Sequence, residues 1–127
     1  MAFILDTDVA IHLRDGDPAV ARRVAALNGV MISVITRVEL EGGVYRDPAT
    51  AAARRARLDA ILSALPCVAF DETAAEQYGR IVAHAGYSRR KLLDRMIAAQ
   101  ALVHGATLIS FNGDDYADIP GLTVERW

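Results

Sequence analysis

The order of apolar and polar residues along the chain falls into two kinds of pattern. Short, mostly apolar runs occur at Ala2–Leu5, Val30–Ile35, Cys67–Phe70, Thr107–Ile109 and Leu122–Val124, several of them flanked by Gly or Pro. Runs of this length between turn residues predict strands. Between them, apolar positions recur at three- and four-residue steps: Val20, Ala21, Val24 and Leu27 within Asp17–Leu27, and Leu92, Leu93, Met96, Ile97, Gln100 and Val103 within Leu92–His104. The Ala-rich segments Ala49–Leu65 and Thr73–His84 are good helix formers. Strands alternating with helices predict parallel βαβ units and a three-layer α/β architecture with a mainly parallel sheet of four to five strands. The longest charge-free stretch, Met96–Gly113, is interrupted by Gln100, His104, Gly105 and Ser110, and reads as helix, turn and strand rather than a membrane span.

Composition narrows the function classes. At 127 residues and 53% apolar content the chain fits one domain, residues 1–127, with its own core. A net charge of −2 excludes a strongly cationic arm, so a nucleic-acid partner has to be held by a local patch. The single cysteine, Cys67, and the widely spaced His12, His84 and His104 exclude disulfide scaffolds and Cys/His zinc modules. These residues, with Met31 and Met96, read as structural or packing positions. The start, Met1-Ala2-Phe3-Ile4-Leu5-Asp6, has no basic segment before its apolar run, so the expectation is a cytoplasmic protein without membrane association.

Acidic residues stand where the predicted strands end. Asp6 follows the first strand, Glu39 comes just after the second, Asp94 opens the Leu92–His104 helix, and Asp114-Asp115 follow the Thr107–Ile109 strand through Ser110-Phe111-Asn112-Gly113. In an open parallel sheet that edge is where ligands bind. Carboxylates gathered in a dry cleft repel one another and need a cation, and all-oxygen donors select a hard ion, Mg²⁺ or Mn²⁺. Such an ion polarises phosphate and activates water, which points to phosphate-ester hydrolysis. Each acid also has a structural reading. Asp6 caps a helix, Thr36-Arg37-Val38-Glu39 forms a capping box, Asn112 and Asp115 repeat that spacing, and Asp94 favours a helix start while pairing with Arg90.

Taken together, Phe3-Ile4-Leu5-Asp6-Thr7-Asp8, Ile35-Thr36-Arg37-Val38-Glu39-Leu40 with Gly43, Leu93-Asp94-Arg95-Met96-Ile97-Ala98-Ala99-Gln100-Ala101 and Leu108-Ile109-Ser110-Phe111-Asn112-Gly113-Asp114-Asp115-Tyr116, closing on Ile119–Trp127, resemble the PIN-domain ribonucleases of the VapC toxin type. The resemblance spans the chain. It implies a PIN-like α/β/α fold and an acidic quartet of Asp6, Glu39, Asp94 and Asp115, supported by Ser110 and Asn112. Asp8 stands where the family often has Asn or Ser, and the extra Asp114 competes with Asp115 for the fourth place. It further implies Mg²⁺- or Mn²⁺-dependent endonucleolytic cleavage of an RNA such as a tRNA or rRNA, a homodimer, and a small DNA-binding antitoxin that blocks the site.

Substrate-holding residues are less specific. Arg89-Arg90-Lys91, just before Asp94, is the better phosphate track, with Arg54-Arg55-Arg57 a second basic cluster. With eight aromatics in all, base-stacking platforms are not expected, and a folded RNA read by shape is. The Thr36–Leu65 region predicts two helices joined through Tyr45-Arg46-Asp47-Pro48, either a hairpin protruding beside the sheet, for which the resemblance implies an antitoxin contact, or part of the core. Two rival functions use the same residues. A haloacid-dehalogenase-type phosphatase would take Asp6 of Asp6-Thr7-Asp8 as nucleophile with Ser33, Lys91 and Asp114-Asp115, but gives Glu39 and Asp94 no role. A non-catalytic α/β binding module would make every acid a cap.

Overall fold

Phe3–Leu5 (β1) is the central strand of the sheet in the computed structural model, which describes Met1–Trp127. All three residues are buried, as a central parallel strand covered on both faces requires. Their side chains alternate: Phe3 and Leu5 enter one core and Ile4 the other. The sheet is five-stranded and wholly parallel, with β2 (Val30–Ser33), β3 (Cys67–Val68), β4 (Thr107–Ser110) and β5 (Val124–Arg126) in the order β3-β2-β1-β4-β5. Leu5 pairs in register with Ile32 on one side and Ile109 on the other.

Helices α1 (Thr7–Arg14), α2 (Pro18–Ala25), α3 (Val34–Tyr45) and α4 (Ala51–Ala64) cover one face. Val9, Val20, Val24, Leu40, Val44, Leu58 and Ile61 pack there beneath Phe3 and Leu5. Helices α5 (Glu72–Ala85) and α6 (Leu92–Val103) cover the other face, with Ile81, Ile97, Ala98 and Ala101 against Ile4 and Leu108. The α3–α4 hairpin therefore contributes Leu40, Val44, Leu58 and Ile61 to the core rather than projecting free of it. Gly29, at φ +74°, turns the chain into β2 where a Cβ would meet the Met1 carbonyl oxygen at 2.5 Å, and its own carbonyl accepts from Phe3 N–H.

The strand boundaries differ from the sequence expectation for identifiable reasons. β2 ends at Ser33, because the Ser33 hydroxyl accepts the Ile35 N–H and starts α3 two residues earlier than the apolar run suggests. β3 stops after Val68, where the Val68 and Ala69 carbonyls take hydrogen bonds from the buried Gln100 side chain. Cys67 is exposed on this edge strand, so its packing role is not borne out. β5 lies two residues later than Leu122–Val124. No helix is long and apolar enough to cross a membrane.

Candidate active site

Strand order reverses between β1 and β4: the chain moves outward through β2 and β3 on one side, and through β5 on the other. The crevice outside the carboxyl ends of these two strands is where such sheets bind ligands. Asp6 leaves β1 there as the N-cap of α1. Its Oδ1 accepts from the N–H groups of Asp8 (2.9 Å) and Val9 (3.3 Å), and its Oδ2 from the Ser110 hydroxyl (2.8 Å) and the Tyr116 hydroxyl (3.1 Å). These four donors fix Asp6 in orientation while its carboxylate still borders the cleft. Only 6% exposed, it has its pKa pushed up by burial, against the opposing pull of Ser110, the Val9 N–H and Tyr116.

Glu39 lies in the second turn of α3, and the capping box with Thr36 does not form, since Ser33 is the cap. Instead the Thr7 hydroxyl donates to Glu39 Oε1 at 2.9 Å and contacts the Thr36 hydroxyl at 3.1 Å. The residue after Asp6 thus steers the second acid across the α1–α3 contact. Asp94 sits in the first turn of α6 as expected, but it does not pair with Arg90, and its carboxylate takes no hydrogen bond. Burial, reinforced by the charges of Asp6, Asp115, Asp8 and Glu39, pushes its pKa up to about 6. Asp115 is carried by a 3₁₀ turn, Gly113–Tyr116. The Asn112 side chain does not cap that turn; the Asn112 N–H donates to Ser110 Oγ at 3.0 Å, which links the loop to the residue holding Asp6.

Asp6, Asp8, Glu39, Asp94 and Asp115 line one cleft of about 470 Å³ with Thr7, Arg89 and Arg90. Ser110 is fully buried and touches the cleft only through Asp6. Two expected participants point elsewhere. Asp114 is an exposed partner of Arg126, and Lys91 binds Asp118 at 3.5 Å, where Arg95 also donates at 3.0 Å. The acids line the cleft without three of them converging tightly enough to enclose an ion. The donor set nevertheless fits a hard divalent cation: every lining ligand atom is oxygen, no Cys or His borders the cleft, and the repulsion that raises the Asp94 pKa is relieved by positive charge.

The phosphatase scheme loses its parts. Ser33 is buried against Gln100 while capping α3, Lys91 is turned to Asp118, and Asp114 lies outside the cleft. Sequence reasoning missed the hydroxyls of Thr7 and Tyr116 as supports. A Tyr beside Asp115 was visible, but its bond to a residue at the far end of the chain was not.

Among known proteins the chain is similar to ribonuclease VapC2 of Rickettsia felis, 27% identical over 135 residues that take in all of this chain and 98% of the relative. It is also similar to the tRNA(fMet)-specific endonuclease VapC of Shigella flexneri, 29% identical across 100% of this chain and 98% of that protein. Among solved structures, a toxin–antitoxin complex from Klebsiella pneumoniae overlays with a TM-score of 0.75 at 27% identity, covering 97% of this chain and 96% of that one. The PIN domain family model matches residues 3–122. With its parallel sheet, its acidic crevice and that match across nearly its whole length, the chain belongs to the PIN domain family.

Proposed function

We propose that this chain is a divalent-metal-dependent endoribonuclease of the toxin type, working as a single domain in the cytoplasm and held in check by an antitoxin protein. The observation that carries the reading is the meeting of Asp6, Glu39, Asp94 and Asp115 in one cleft from four separate segments of the chain. Mg²⁺ or Mn²⁺ is the cation that suits these oxygens. When bound, it supplies charge neutralisation at the phosphate and activation of water.

The chain's own residues do the rest. Four donors fix Asp6, and Thr7 fixes Glu39, so these two carboxylates present a preset geometry and little is lost in ordering them. Arg89 and Arg90 border the acids and are placed to take the phosphates flanking the scissile bond. The relative named as tRNA-specific makes a tRNA the first substrate to try.

An apolar groove between α1–α2 and α4, walled by Leu13, Val24, Leu27, Ile61 and Leu65, suits the apolar face of an antitoxin segment. The exposed Val38 and Tyr45 on α3 support pairing with a second copy.

The test is cleavage of tRNA and of total RNA by the purified protein with Mn²⁺, Mg²⁺ or EDTA, with ends mapped, alongside Asp94→Asn. Metal-dependent internal cuts that disappear in Asp94→Asn are expected. Absence of cutting by the wild type, or undiminished cutting by the variant, would overturn the assignment.

A further inference from the structure

On the far side of Glu39 from the acidic cleft lies a second pocket of about 520 Å³, and its chemistry is opposite. Arg14, Arg46 and Arg54 line it, with Asp15 and Glu39 as the acids, so its border carries a surplus of positive charge whereas the first cleft carries a surplus of negative.

Arg14 is the unusual member. Its side chain is only 4% exposed, yet its sole ion pair is from Nε to Asp15 Oδ1 at 3.1 Å, and its two terminal nitrogens have no acceptor in the protein. A guanidinium at this depth is normally paired through its fork. Space for it is made by Gly43, where a Cβ would lie 2.6 Å from Arg14 Nη1. Arg54 is held in place by the Gly43 carbonyl at 2.9 Å, and Arg46 is exposed with no partner.

Resting on the nuclease reading above, we infer that this pocket is a phosphate subsite for the RNA strand one or more nucleotides from the scissile bond, with the free face of Arg14 as its floor and Arg46 as its outer contact. A phosphodiester supplies the planar oxygen pair that an unfilled guanidinium fork accepts. Glu39 is the wall shared by the two pockets, so a strand whose scissile phosphate lies at the carboxylates passes directly into the arginines. Asp15 neutralises part of the charge, which favours a singly charged diester.

Two arms test this. In the first, metal-free protein is melted with and without inorganic tripolyphosphate. Wild type and Arg22→Gln, an exposed arginine on α2 that makes the same change in net charge, are expected to be raised in Tm equally; Arg46→Gln and Arg14→Gln are expected to show at most half that shift. In the second, a fluorescent single-stranded RNA is titrated against Asp94→Asn protein with and without Arg46→Gln. Removing Arg46 should weaken binding about five- to tenfold and make the logarithmic salt dependence shallower by about 0.7.

Arg46 is exposed and unbonded, so its variant tests the subsite even where Arg14→Gln misfolds. Equal tripolyphosphate shifts in wild type and Arg46→Gln overturn the subsite. So does tripolyphosphate binding there with unchanged RNA affinity, which would make it an anion site off the RNA path. Failure of the wild type to cut RNA overturns the nuclease reading, and with it the strand assignment, while the tripolyphosphate arm still decides whether the arginines bind phosphate.

Discussion

The hydroxyl of Tyr116 donates to Asp6 Oδ2 at 3.1 Å, joining residues 110 positions apart beneath the acidic cleft. Both are buried, Tyr116 to 2% exposure, and the phenol is held well above its usual pKa by burial and by the Asp6 charge, so it stays a donor. Tyr116→Phe keeps the ring and removes that donor. It is expected to cost about 1–2 kcal/mol of stability in urea unfolding and to lower metal-dependent cleavage less than Asp94→Asn does. An unchanged midpoint would show that the hydroxyl does not hold Asp6.

Glu39→Gln separates charge from shape. The amide oxygen can still accept from Thr7, so stability is expected to stay within about 0.5 kcal/mol of wild type, while RNA cleavage falls by about 100-fold or more through loss of a ligand charge. Cleavage rates with Mn²⁺, measured beside a melting curve, check both halves. Full activity in the variant would remove Glu39 from the proposed ligand set.

Asp94 makes the metal-free protein pH-sensitive. Its pKa of about 6 in the fold stands above the ordinary 3.8, so between those values the folded state binds more protons than the unfolded one. Stability therefore falls as pH rises through that window. Asp94 is only half-buried, so solvent screening reduces its share to about 1 kcal/mol. Urea unfolding in EDTA from pH 4 to 7.5 should show wild type losing stability relative to Asp94→Asn as pH rises. Parallel profiles would contradict an Asp94 pKa raised by burial and by the neighbouring acids.

Gln100 tests support away from the cleft. Its carbonyl accepts from the Ser33 hydroxyl, and its amide donates to the Val68 and Ala69 carbonyls at 3.1 Å each, tying α6 to β2 and β3. Gln100→Leu leaves the buried Ser33 hydroxyl without its acceptor and the part-buried Val68 and Ala69 carbonyls without their donor, and should cost about 1–3 kcal/mol. At a temperature where the variant remains folded, its cleavage should be near normal. A melting temperature equal to wild type would show that the buried bonds contribute nothing net.

The five strand positions were legible because buried parallel strands leave short apolar runs between turn residues, and α6 because its apolar positions keep helical spacing. Boundaries were less legible. Val34 and Ile35 are β-branched and read as strand, yet the Ser33 hydroxyl captures the Ile35 N–H and starts the helix there. The Thr36-x-x-Glu39 spacing satisfied a capping rule that the chain does not use, which leaves Glu39 free to face the cleft with its hydrogen bond from Thr7.

By itself the sequence determined the alternation of strands and helices, and placed an acid just beyond each of three strands and at the head of one helix, because those features depend on local spacing. The tertiary structure decided which acids meet. Reversal of strand order between β1 and β4 brings Asp6 beside Ser110 and Tyr116, α3 and α6 carry Glu39 and Asp94 to the same crevice, and pairing with Arg126 withdraws Asp114 from it. It also decided that Arg14 would be buried with its fork unfilled, since that follows from the room left by Gly43 on another helix. Contacts of this kind depend on how distant segments pack, and no local pattern in the chain encodes them.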